Sequence, residues 1–350
     1  MTFLLYGASG YTGELIAREA VRRGMQPVLA GRSAAKIGRL AAELGCASAV
    51  FDLDDHTSLV RTLANVPAVL HCAGPFSATA RSMMQACLAS HVHYLDITGE
   101  IDVFELAHSV HEKAQRAGIV LCPGVGFDVV PTDCLAIKLK QALPDATHLA
   151  LGFDSRSGFS KGTAKTAVES AGDGSKVRRD GHIVAVPLAS QIRQIDFGNG
   201  ERLAVGIPWG DVSTAYYSTG IPDIEVFTAT SPTDLARMQR AERLRPLLRT
   251  RLVRALLKRR IERQLQPPNQ AQRDSNPSFV WGEVRNAAGR KVTARVVTAN
   301  GYALTVASSL GIMAHVLQTQ CAAGYATAGM LVGAEFISTL PGSSPIRLDT

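Results

Sequence analysis

Residues Gly7-Ala8-Ser9-Gly10-Tyr11-Thr12-Gly13 set three glycines three apart. The chemistry such a loop does well is the cradling of phosphate. Gly7 permits a tight turn, Gly10 lets backbone approach a pyrophosphate with no Cβ in the way, and Gly13 lets the next helix pack close to the preceding strand. Behind the loop a helix N-terminus offers unpaired N–H groups and a partial positive charge, and Ser9, Tyr11 and Thr12 add side chains at the rim. A second cluster follows, Gly31-Arg32-Ser33 with Lys36 one turn later, and no carboxylate lies between Pro27 and Arg39. An Asp or Glu there would hold a ribose 2′-hydroxyl; Arg32 and Lys36 instead neutralise a 2′-phosphate, and Ser33 donates to it. Together these residues specify NADP(H). Asp52, with Leu53 beside it, is placed to accept from the adenine amino group. Ala73-Gly74-Pro75-Phe76 should flank the nicotinamide half, because ligands in such sheets bind beyond the carboxyl ends of the strands.

A nicotinamide enzyme also needs an acid or a donor near the reacting carbon. Tyr94, Asp96, Thr98 and Glu100 alternate along one run and share a face if it stays extended. Asp128 follows a later strand, in Gly126-Phe127-Asp128. Lys161, with Thr163 and Lys165, could donate to an oxyanion. Each candidate has a structural alternative: helix capping or an inter-domain hydrogen bond for Glu100 and Asp128, solvation for the lysines. His91 and His93 lack the further ligands a metal needs, so no metal is expected. The six cysteines form no C-x-x-C pair and read as reduced thiols.

These residues need a scaffold of strands ending in loops. The run Thr2–Tyr6 reads as an apolar strand, Glu14–Arg23 as a helix with Leu15, Ile16, Ala20 and Val21 on one face, and Pro27–Ala30 as the next strand. Strand ends near Phe51, Cys72 and Cys122 complete a doubly wound parallel sheet. Downstream, Thr147–Phe153, Ile183–Phe197, Arg202–Ile207, Ile224–Ala229 and Phe279–Thr298 are β-rich, with hairpin-like turns at Gly198-Asn199-Gly200 and Ala288-Gly289. Ala303–Leu317 and Ala326–Leu340 read as helices.

The combination GASGYTG, AGRS, HCAGPF, HYLDITGE and PGVGFDVVPTD resembles the saccharopine dehydrogenase-like oxidoreductases, and within them the branch of trans-acting enoyl reductases. The resemblance covers Thr2 to about Thr166 and resumes at Gly301-Tyr302 with Thr305 and at Gly324-Tyr325 with Thr327. Ser160-Lys161-Gly162-Thr163 departs from it, with Lys161 where the branch has a glycine. The resemblance implies an α/β fold: a Rossmann domain, 1–122 with 301–350, whose C-terminal helices return to it, and a second α+β domain with a mixed sheet, 123–300. It implies NADPH-dependent reduction of a carbon–carbon double bond in an acyl thioester or lipid-like substrate. Two alternatives stay open. One is saccharopine-type imine chemistry, which needs paired arginines such as Arg156 and Arg193; the other is a protein that binds NADP(H) or a lipid surface without turnover.

At 350 residues the chain has room for two domains. The 46% hydrophobic and 19% charged residues specify globular cores. The net charge of +7 is concentrated in Leu247–Leu265, where Leu248, Leu252 and Leu256, and Val253, Leu257 and Ile261, stack at helical spacing opposite seven Arg and Lys residues. Three readings apply to this basic helix: a solvated face, docking of an acidic acyl carrier protein or acyl-CoA, and an anionic membrane surface, the docking ranking above the membrane. No nucleic-acid motif accompanies the charge. Val296–Ala334 carries no charged residue but is broken by polar residues and glycines, which suits two buried helices better than a membrane span. With no signal-peptide pattern the expected location is the cytoplasm. The fold is compatible with a homodimer.

Overall fold

The computed structural model describes residues 1–155, 172, 174–248, 250–264 and 276–349. The chain divides into two compact units, Met1–Val130 with Leu304–Val332, and Pro131–Ala303 with Gly333–Thr350.

In the first unit, strands β1 (Thr2–Tyr6), β2 (Gln26–Gly31), β3 (Ser48–Val50), β4 (Ala68–His71), β5 (His93–Asp96) and β6 (Val120–Cys122) alternate with helices α1 (Tyr11–Arg22), α2 (Ala34–Leu44), α3 (His56–Leu63), α4 (Phe76–Ser90), α5 (Ile101–Ser109) and α6 (His111–Ala117). The strands are parallel and run β3-β2-β1-β4-β5-β6 across the sheet. The order reverses between β1 and β4, which is where a doubly wound sheet opens its ligand crevice. Helices cover both faces, so β1 and β4 are continuous apolar runs: Phe3, Leu4, Leu5, Val69 and Leu70 are all fully buried. Late in the chain, Gly324–Tyr325 adds a seventh parallel strand beside β6, with Tyr325 N–H donating to His111 Nδ1 at 3.0 Å.

The second unit begins with helix α7 (Val130–Ala142) and is built on a mixed sheet. Its strands are β7 (Ala146–Ser155), β8 (Ser175–Arg179), β9 (His182–Val186), β10 (Ile192–Asp196), β11 (Glu201–Gly206), β12 (Asp223–Ala229), β13 (Ser278–Asn286) and β14 (Lys291–Thr298), with helix α8 (Asp211–Thr219) before β12. The order is β10-β11-β12-β7-β13-β14, closed by Arg347–Asp349, and among the described strands of this sheet only β12 and β7 pair in parallel. One face carries α7. A Cβ on Gly282 of β13 would sit 2.7 Å from Leu139, so the helix approaches the sheet as closely as only glycine allows. The opposite face rolls up: Arg295 of β14 donates to the Asp196 carbonyl of β10 at 2.9 Å, across four intervening strands. Inside the roll Ala150, Ile195, Phe197, Ala204, Phe227 and Trp281 form a small apolar core.

Three expectations change. Residues Gly333–Thr350 group with the second unit, because Arg347–Asp349 extends its sheet and Lys138 pairs with Glu335. The segment expected as one helix over Ala326–Leu340 is two short ones, Ala328–Val332 and Phe336–Thr339, separated at Gly333, whose φ of +79° no helix tolerates. The basic helix over Leu247–Leu265 is likewise divided, into Arg245–Leu248 and Arg251–Gln264, behind a further helix, Pro232–Arg243. Thr250 opens the second piece by accepting from Arg254 N–H at 3.2 Å. Leu256 is 68% exposed, while Val253, Leu257 and Ile261 are half-buried. No helix among the described residues is long and apolar enough to cross a membrane.

Candidate functional site

The glycine loop closes on the switch point. Gly7 has φ +84°, open to glycine alone without strain, and its N–H donates to the Ala30 carbonyl at 2.8 Å. A Cβ on Gly7 would lie 2.8 Å from Ala73 N, so the loops after β1 and β4 touch. A Cβ on Gly13 would lie 2.2 Å from the Gly7 carbonyl oxygen, inside any allowed contact. Gly10 is the N-cap of α1 and has no side chain with which to cap it. The neighbouring helices differ. Ser33 Oγ accepts from Lys36 N–H at the start of α2, and Asp55 accepts from Ser58 N–H at the start of α3. The first turn of α1 thus keeps the charge and the N–H direction that a pyrophosphate needs, and Ser9, Tyr11 and Thr12 border it, each partly exposed.

The residues predicted for the adenosine end converge on the carboxyl edges of β2 and β3. Gly31 is buried against Ile37, with Ser9 Oγ 4.0 Å from where its Cβ would be. The Arg32 side chain is 77% exposed and stands 3.9 Å from Asp52 Oδ2. Asp52 Oδ1 also accepts from Asp54 N–H at 3.2 Å, which folds the turn after β3. Leu53 is buried beneath it and Lys36 is exposed. Ser33 accepts a backbone bond yet keeps its hydroxyl proton to donate. The cradle, the open helix end and an arginine–lysine pair in place of a carboxylate fit NADP(H). Arg32→Ala is therefore expected to weaken NADPH binding about tenfold to a hundredfold, the worth of a charge-assisted hydrogen bond, and to leave NADH binding unchanged. Parallel fluorescence titrations measure this; equal loss for both nucleotides would remove Arg32 from the 2′-phosphate site.

The carboxylates after β5 are mostly engaged. Asp96 is fully buried and accepts from Tyr94 Oη at 2.5 Å, Thr98 N–H at 2.9 Å and Gly124 N–H at 2.9 Å. Burial raises its carboxyl to about 6 against the pull of those donors. Tyr94 is pushed well above its ordinary range, first by burial and then by the Asp96 charge. The pair latches β5 to the loop after β6. Glu100 caps the start of α4: its oxygens accept from Phe76 N–H at 2.8 Å and Ser77 N–H at 2.7 Å. This holds Phe76 and the exposed Gly74, joined to Pro75 by a cis peptide bond, beside the Gly7 loop.

Asp128 is different. It is half-buried, its carboxylate lies directly over Gly99, where a Cβ would meet Oδ2 at 2.5 Å, and it has no hydrogen-bond partner among the described residues. Burial alone pushes its carboxyl up to about 7. Lys161, Thr163, Lys165 and Arg156 lie outside the described residues.

Two positioning groups escaped the sequence reading. His71, at the end of β4, is fully buried, and burial drops it to about 3, so it is neutral. Its Nε2 lies 2.9 Å from Thr79 Oγ1, which donates its single proton to the Ala73 carbonyl at 2.8 Å. His71 is then the donor at Nε2, and the chain His71–Thr79–Ala73 fixes the turn before Pro75. The signal was available as a histidine at a strand end with a threonine in the following helix. Thr305 is the other. Its Oγ1 accepts from Phe127 N–H at 2.9 Å, and Ser308 Oγ donates to the Val125 carbonyl at 2.7 Å. The helix Gly301–Gln318 thereby sets the Asp128 loop from the far end of the sequence. No spacing rule links positions 178 residues apart.

Among known proteins, residues 3–122 match the saccharopine dehydrogenase NADP binding domain family. Over 216 residues the chain is 28% identical to the saccharopine dehydrogenase-like oxidoreductase of Bos taurus, covering 53% of this chain and 50% of that one. It is 30% identical over 188 residues to a Mycobacterium tuberculosis protein provisionally named a trans-acting enoyl reductase, covering 47% of this chain and 43% of that one. The chain spans about half the length of the curated relatives it matches. The structure of apo saccharopine dehydrogenase (L-Glu forming) from Saccharomyces cerevisiae superposes over 100% of both chains with a TM-score of 0.66 at 10% identity, a likeness of fold. The glycine cradle and the Arg32–Ser33–Lys36 edge agree with this match: residues 3–122 form an NADP(H)-binding domain similar to that of the saccharopine dehydrogenase family.

Proposed function

We propose that the protein is an NADPH-dependent oxidoreductase that reduces the carbon–carbon double bond of an acyl thioester or a related lipid-like substrate. The carrying observation is Asp128, a carboxyl with no hydrogen-bond partner among the described residues, packed over Gly99 and raised to about 7 beyond the carboxyl edge of β6. When bound, the reduced nicotinamide supplies a hydride. The chain must then supply a proton to the α-carbon, and a carboxyl still protonated near neutrality does so. Tyr94 and Asp96 position the loop that carries it, and Glu100 and His71 position the Gly74–Phe76 turn against which the nicotinamide would rest.

The likeness to the mycobacterial protein supports the thioester class. The imine alternative needs paired arginines facing one substrate; Arg156 lies outside the described residues, and Arg193 belongs to the second unit, 3.1 Å from Glu283. The helix Arg251–Gln264, with Arg259 and Arg263 exposed around Leu256, is the surface we assign to an acidic carrier protein.

The test follows NADPH oxidation at 340 nm with crotonyl-CoA and, separately, with a panel of keto acids plus amines. Turnover with crotonyl-CoA is expected. Turnover with keto acid and amine instead would transfer the protein to imine chemistry. Tight NADPH binding with no turnover on either panel would leave a nucleotide-binding protein without this reaction.

A further inference from the structure

We propose that the mouth of the rolled sheet in the second unit is a binding site for a small polyanion, a molecule bearing two or more carboxylate or phosphate groups. The mouth is a cavity of about 510 Å³ at the end of the roll where β7 begins. That volume suits a small metabolite, and the mouth of a curled β-structure is a common place for one. Ala150 belongs both to the cavity lining and to the apolar core of the roll.

The charges are layered. Asp223, Glu225 and Glu283 lie low, with side chains 16%, 25% and 15% exposed, and each is already satisfied. Glu283 holds two cations, Arg193 at 3.1 Å and Lys291 at 2.9 Å. Burial pushes the Glu283 carboxyl up, but those two cations outweigh it and hold it below its ordinary range. Glu225 holds Arg179 and accepts from Gln191 at 2.6 Å. Asp223 accepts from Asp180 N–H at 3.1 Å and stands 3.5 Å from His148 Nε2. The carboxylates are thus a floor that fixes the cations above them.

The cations form the rim and keep donors to spare. A guanidinium has five N–H groups, and one carboxylate uses at most two of them. Arg193 is also held flat by π-faces, 5.1 Å from the Trp281 ring centroid and 5.6 Å from that of Phe227. Such an arginine is immobilised before any ligand arrives, so little rotamer entropy is lost on binding. Arg285 lines the same cavity and has no ion-pair partner among the described residues. Arg179, Arg193, Arg285 and Lys291 against three carboxylates leave a surplus positive charge, concentrated on the β13–β14 wall. A single anion would use only part of that rim. A molecule with separated anionic groups can reach Arg285 and the Arg193–Lys291 pair together.

The test is calorimetric titration of citrate, and separately of inorganic pyrophosphate, into the full chain saturated with NADP at low salt. Arg285→Gln is compared with Arg237→Gln, an exposed pair partner of Asp234 on the helix Pro232–Arg243. Saturable binding that Arg285→Gln weakens about tenfold or more, and Arg237→Gln leaves alone, is expected. Binding of citrate only would assign a polycarboxylate, of pyrophosphate only a phosphorylated ligand, and either supports the site. Absence of binding by both anions, or equal weakening by the two substitutions, overturns it. Thermal melting of each variant confirms that the chain is folded in every arm.

Discussion

Gly13→Ala is expected to abolish measurable NADPH binding, a loss of at least about a hundredfold, or some 2.7 kcal/mol. The added Cβ would stand 2.2 Å from the Gly7 carbonyl oxygen and 3.0 Å from Ala8 Cα. Both contacts are backbone, so no side chain can swing aside. Either α1 withdraws from β1 or the Gly7–Gly10 turn opens, and each moves the N–H groups of the first helical turn off the phosphate. Overpacking of this kind also costs about 1–3 kcal/mol of fold stability, so melting temperature should fall together with affinity. Gly38→Ala is the matched control. That glycine lies within α2, nothing stands within 4 Å of its Cβ position, and alanine there should raise stability by about 0.5–1 kcal/mol while leaving NADPH affinity alone. Fluorescence titration and melting curves on both variants decide the matter. A Gly13→Ala protein that binds NADPH within threefold of the parent would show that the loop does not hold the pyrophosphate.

What the sequence made legible follows from distance along the chain. The glycine loop, α1 and the Arg32 edge lie within the first 36 residues, and their roles depend on local backbone conformation and on one crossover between β1 and β2. Period and residue type report such features directly. The alternation of Tyr94 and Asp96 likewise placed both on one face, and the structure joins them by a hydrogen bond. Beyond Asp96 the extended run ends, because the Asp96 carboxylate turns back to take Thr98 N–H, and Glu100 then reaches the start of α4. No alternation rule anticipates a side chain spent on capping a helix 23 residues upstream. The same limit hid His71 and Thr305, whose partners are set by tertiary packing. In the tail and in the basic segment, hydrophobic spacing predicted helices correctly but ran them through Gly333 and Thr250. A periodic pattern cannot see a single residue whose φ or first-turn hydrogen bond starts a new element.

Asp128→Asn should lower kcat with the enoyl substrate by about a hundredfold to ten-thousandfold, the usual worth of a general acid, with NADPH affinity unchanged. The carboxyl has no partner among the described residues to lose, so the amide should fit over Gly99 as the acid does. The pH dependence gives a sharper test. A carboxyl raised to about 7 is protonated below that pH, so kcat of the parent should fall as pH rises through about 7. The residual activity of the Asn variant should not. Stability carries the same signature with a definite sign. The unfolded chain ionises Asp128 near 3.8, whereas the folded chain resists ionisation up to about 7. Between those values the unfolded state has released the proton and the folded state retains it, so stability declines as pH rises and levels off above about 7. Asp96, raised to about 6, contributes a decline of the same sign over a narrower window. Asp128→Asn should therefore reduce the slope of stability between pH 4 and 7 without removing it, and should stabilise the fold most at neutral pH. A structural role alone would alter that slope but not the pH profile of turnover. If kcat of the variant stays within threefold of the parent across this range, the proton comes from another group, and Asp128 is only an elevated carboxyl packed against Gly99.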